Sequence, residues 1–89
     1  MLATQDLIYQ CKKIIETSQI DTFQEFVRGM LEYNYDWPYV FHRVYLHACL
    51  KKKKEIAEWL HTALYPFMDP IQQIALRQIF VYGRYLLSK

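Results

Sequence analysis

The chain has 89 residues, 53% apolar, 17% aromatic and 22% charged, with a formal net charge of +2. That length holds one small domain, which excludes a multidomain enzyme or a long solenoid. The apolar fraction excludes a disordered tail, and no apolar run approaches the ~18–20 residues of a membrane span.

Helical spacing runs almost throughout, so we expect an all-α bundle of about five short helices forming a single domain over 1–89. Leu7, Ile8, Cys11, Ile14 and Ile15 line one stripe of a helix from Thr4 to Thr17. Ser18–Gln19–Ile20 breaks it. Thr22 and Glu25 then have the spacing of a capping box. Phe23, Phe26, Val27, Met30 and Leu31 give a second helix to about Tyr33. Asn34 to Pro38 is a turn and restart, with Asp36 as cap and Pro38 in the first turn. Phe41, Val44, Tyr45, Ala48 and Cys49 form the third stripe. Ile56, Trp59, Leu60, Ala63 and Leu64 form the fourth. Tyr65 to Asp69 is a loop, and Asp69–Pro70 starts a fifth helix. Its expected inward side is Ile71, Ile74, Ala75, Ile79 and Tyr82, and Gly83 interrupts or ends it.

The net charge hides an asymmetry. Residues 1–36 carry six acids and three bases, and residues 37–89 carry three acids and eight bases. The basic half contains the run Lys51–Lys54, expected as an exposed turn. The polar residues Thr4, Gln5 and Asp6 near the start do not fit a secretory leader. Cys11 and Cys49 both fall on apolar faces, as free thiols do, and two cysteines make a poor disulfide framework. The expectation is an intracellular chain, cytoplasmic or nuclear, in a reducing compartment.

No residues point to catalysis. Gly29 and Gly83 are the only glycines, so there is no phosphate loop. His42, His47 and His61 lack metal-ligand spacing with each other or with the cysteines. We therefore expect no catalytic residue, no cofactor and no metal.

Ala48–Cys49–Leu50–Lys51–Lys52–Lys53–Lys54–Glu55–Ile56–Ala57–Glu58–Trp59–Leu60 resembles the helix–turn–helix core of the divergent ankyrin-type repeats of large DNA-virus proteins. Ala48, Cys49, Glu55, Ile56, Ala57, Trp59 and Leu60 carry the match. Lys52 departs from it, standing where the family has glycine, the residue suited to positive φ. A fainter echo lies 31 residues on, with Gly83 at the turn position and Ile79, Phe80 and Leu87 on the flanking helices. The resemblance implies a viral protein-binding module built from helical hairpins.

Five short helices cannot enclose all the apolar residues present, and large exposed apolar patches mark interfaces. The leading expectation is a non-enzymatic protein–protein interaction module that forms a homodimer or binds a host or other partner protein. Phe80, Tyr85, Leu86 and Leu87 are the candidate contacts. The alternative is a homodimeric helical protein that binds duplex RNA. There Lys51, Lys52, Lys53, Lys54 and Arg43, with Arg77 and Arg84, would neutralise phosphates.

Overall fold

The structure, a computed structural model, describes residues 2–89. Five helices form: α1 (Thr4–Thr17), α2 (Ile20–Met30), α3 (Trp37–Leu50), α4 (Lys54–Leu64) and α5 (Pro70–Ser88), with one 3₁₀ turn at Tyr65–Phe67. The described residues contain no strand, and no helix among them is long and apolar enough to cross a membrane. The fold is all-α.

Helix α3 is central. It packs against α1 on one side and α5 on the other, while α2 covers α1 and α4 covers α3. The result is a slab of 34 × 32 × 19 Å. Packed helices lie about 8–10 Å apart, so this is two layers. The core runs through both: Leu7, Ile15, Phe23, Phe41, Ala48 and Cys49 are completely buried.

A regular interval underlies the packing. Helices α1, α3 and α5 begin at Thr4, Trp37 and Pro70, 33 residues apart each time. Buried positions recur at that interval: Leu7 with Val40, Ile8 with Phe41, Cys11 with Val44, and Ile15 with Ala48. Phe23 with Ile56 and Val27 with Leu60 continue it in the covering helices. Each hairpin thus buries the same face, and neighbouring hairpins complete one another's core, as stacked repeats do. Helix α5 opens a third such unit, and no covering helix follows it among the described residues.

The helix ends follow local chemistry. The Asp36 side chain accepts from the Tyr39 amide at 3.4 Å, as expected. Asp69 and Gln72 form a reciprocal capping box at the start of α5, with bonds of 2.8 and 3.1 Å. The expected box at Thr22 and Glu25 does not form, because α2 already begins at Ile20, behind Gln19. Ile20 packs against the core and draws the helix start back over it, leaving Thr22 inside the first turn.

Lys51–Lys53 make the tight turn between α3 and α4, so these two helices are not continuous. Lys52 has φ 61°. The Lys53 amide donates to the Ala48 carbonyl at 2.9 Å and the Lys52 amide to that of Cys49 at 3.1 Å. These two bonds are a Schellman closure, which ordinarily uses glycine at the left-handed position.

Helix α5 corrects the sequence expectation twice. It passes through Gly83 without interruption, and Gly83 has no positive φ. Its inward side is Leu76, Ile79, Phe80, Gly83, Leu86 and Leu87, whereas Ile71, Ile74 and Tyr82, expected inside, are 79%, 67% and 53% exposed. Gly83 selects that side. A Cβ there would lie 2.5 Å from the Tyr45 ring and 3.0 Å from Cys49 Sγ. Only the side bearing glycine lets α5 approach α3 so closely.

Candidate functional site: the outer face of α5

Of the four contact residues expected from sequence, only Tyr85 is exposed. Leu86 belongs to the core, and Leu87 and Phe80 pack against it. Phe80 sits in an aromatic box, with ring centroids 4.2 Å from His61, 4.6 Å from Tyr65, 5.3 Å from Tyr45 and 5.5 Å from Phe41. It fastens α5 to α3 and α4, and a partner cannot reach its ring face without dismantling that box.

Half of the exposed large apolar side chains lie on the opposite side of α5, while Tyr9, Leu31, Tyr33, Leu50 and Phe67 are exposed elsewhere. Ile71, Ile74, Val81, Tyr82 and Tyr85 are each more than half exposed. They recur at three- and four-residue steps, so they line one stripe. Ala75 and Gln78, both exposed, complete it. No charge falls on it, although Arg77 and Arg84 are exposed on the same helix. At the C-terminal end Tyr82 shares a hollow with Leu46 and Leu50 of α3, which carries the apolar surface onto the middle helix. The exposed stripe is on the same helix as the expected contacts, but of those four it includes Tyr85 alone. The clue that separates them is Gly83, which marks the side of closest approach.

The basic residues have different surroundings. Lys51–Lys54 are exposed. Lys52 Nζ donates to the carbonyls of Leu86 and, at 3.3 Å, Lys89, which satisfies the C-terminal end of α5. Lys54 lies 3.9 Å from Glu58. Arg43 lines the hollow with Lys12, His42 and His47, and Lys51–Lys54 do not line it.

The remaining chemically active groups have structural surroundings. Burial pushes the Cys11 thiol up to about 12. Burial also raises Cys49, against a hydrogen bond from Tyr45. Both are free and buried, the opposite of a reactive thiolate. His47 Nε2 meets Glu16 at 2.7 Å and ties α3 to α1. His61 is pushed down by burial in the aromatic box and then by the positive charge of Arg84. Among the described residues no three His, Cys, Asp or Glu side chains gather as metal ligands would. Comparison with known protein families, curated proteins and solved structures finds no match to this chain.

Proposed function

We propose that the protein is a non-enzymatic protein–protein interaction module, built on ankyrin-like helical hairpins, that engages a second copy or a host or other partner protein through α5. The observation that carries this reading is the stripe Ile71, Ile74, Val81, Tyr82 and Tyr85, exposed on a helix whose other side is fully engaged. Large apolar and aromatic side chains aligned on one face are what interface centres use. The test is affinity capture from lysate with wild type and Ile74→Glu. Because Ile74 is exposed, the variant stays folded, and a face-dependent partner is retained by wild type alone. Identical recovery by both would remove the reading.

Duplex RNA binding through Lys51–Lys54 and Arg43 is the weaker alternative. Its support is the exposed lysine turn. Against it, Lys52 Nζ is engaged at the end of α5. An electrophoretic shift with duplex RNA at physiological salt, lost on changing Lys51 and Lys53 to Gln, would restore it.

A further inference from the structure

We infer that the occupant of the α5 stripe is a second copy of the same helix, laid antiparallel across a two-fold axis at Gln78. This rests on the interaction reading above and commits it to one partner.

The stripe is its own complement. An antiparallel pair centred on residue 78 joins positions whose numbers add to 156. Ile71 then lies level with Tyr85 of the second copy, Ile74 with Tyr82 and Gln78 with Gln78, while Ala75 and Val81, on opposite edges of the stripe, each face their own edge of the second copy. Every Ile shares a layer with a Tyr. The single polar position faces itself, where two side-chain amides can exchange hydrogen bonds and fix the register, as a lone polar residue does in a helical seam. From Ile71 to Tyr85 the stripe runs about 21 Å.

The fold supplies a second reason. In the first two units an antiparallel helix covers the leading one, α2 on α1 and α4 on α3. Helix α5 starts on the same 33-residue interval, and among the described residues no antiparallel helix follows to cover it. Ile74 and Val81 stand 33 residues after Phe41 and Ala48, which are fully buried. Of the six buried positions of α3, the equivalents in α5 are Gln73, Ile74, Arg77, Gln78, Val81 and Tyr82, and three of these are polar. A further hairpin of the same pattern would bury Gln73, Arg77 and Gln78 together, whereas a second copy of α5 sets Gln78 against itself and leaves Arg77 at the edge of the stripe.

Area and closure agree. Five large side chains more than half exposed amount to on the order of 500 Å² per copy, so about 1,000 Å² for the pair, which reaches the lower bound of a specific interface. The far end of the slab is polar instead: Gln5, Asp6, Lys13 and Glu16 of α1 are exposed, with only Tyr9 apolar among them. One sticky end and one polar end give a closed two-fold dimer and no filament. Arg77 and Arg84 flank the stripe, and in an antiparallel pair like flanks face each other, so added salt screens the repulsion and strengthens the dimer.

Site-directed cross-linking with the full chain tests the geometry. Gln78→Cys should form a disulfide-linked dimer under mild oxidation. Ile71→Cys alone and Tyr85→Cys alone should not, while a mixture of the two should. The native thiols are buried and do not compete. Cross-linking of Ile71→Cys with itself would mean a parallel pair and overturn the inference. A strictly monomeric wild-type mass, rising salt included, would also overturn it. The broader reading would then stand or fall separately on whether Ile74→Glu loses a captured partner.

Discussion

At the scale of single residues, three positions carry burdens that their type alone does not announce. Gly83 is a spacer between α5 and α3. Gly83→Ala should cost about 1–3 kcal/mol by overpacking against Tyr45, despite the roughly 1 kcal/mol that alanine gains in a helix interior. A urea melt checks it, and a gain in stability would mean that α5 lies farther from α3. Lys52 combines a strained backbone with a useful side chain. Lys52→Met keeps the positive φ and loses the contact with the α5 carbonyls, so it should lose about 0.3–1 kcal/mol. Lys52→Gly relieves roughly 1 kcal/mol of strain while losing the same contact, so it should come out near neutral. Their order in a thermal melt separates the two terms. His61 sets a pH dependence. Its folded-state pKa is below the ordinary 6.5, so above pH 6.5 it is neutral folded or unfolded and has no effect. As pH falls below 6.5 the unfolded chain takes the proton first, and stability drops until the folded-state pKa is passed. Wild type should therefore melt lower at pH 5.5 than at pH 7, and His61→Phe should flatten that part of the profile.

At the scale of helices, the difference between α5 and the others shows what a sequence can disclose. Helices α1 and α4 have one apolar side and one polar side, so their spacing identifies most of the buried stripe, and Asp36 and Asp69 mark starts where their side chains cap. Helix α5 is apolar nearly all round and contains no acidic residue, so periodicity cannot choose its side. The choice comes from tertiary fit at Gly83. The lysine turn was legible as a turn, but the bond from Lys52 to the far end of α5 spans 34 residues and leaves no local signature. In α2 the same limit appears on a smaller scale: Phe23 and Val27 are buried, while Phe26 and Met30 are only partly so and Leu31 is exposed. Phe23→Ala should therefore cost about 3–5 kcal/mol, clearly more than Phe26→Ala. For α5 the two sides predict opposite outcomes. Phe80→Glu with Leu86→Glu should abolish the cooperative melt, because both side chains pack inward. Ile74→Glu with Tyr82→Glu should leave far-ultraviolet dichroism and the melt nearly unchanged, as exposed substitutions do.

At the scale of the molecule, a chain of this length reaches a radius of gyration of 12.2 Å, about that of any compact 89-residue domain, while leaving one helix face uncovered. Two hairpins complete each other's core, α1 ends the slab with polar residues, and α5 ends it with apolar ones. If α5 pairs with a second copy, that asymmetry limits the assembly to two chains. Its most direct measurement is the mass in solution by light scattering, at micromolar concentration, for wild type and for Ile74→Glu with Tyr82→Glu. Wild type should be a dimer of twice 10.9 kDa, tightened by salt, and the variant a folded monomer. A wild-type monomer, or a dimer that survives both substitutions, would contradict that pairing of α5.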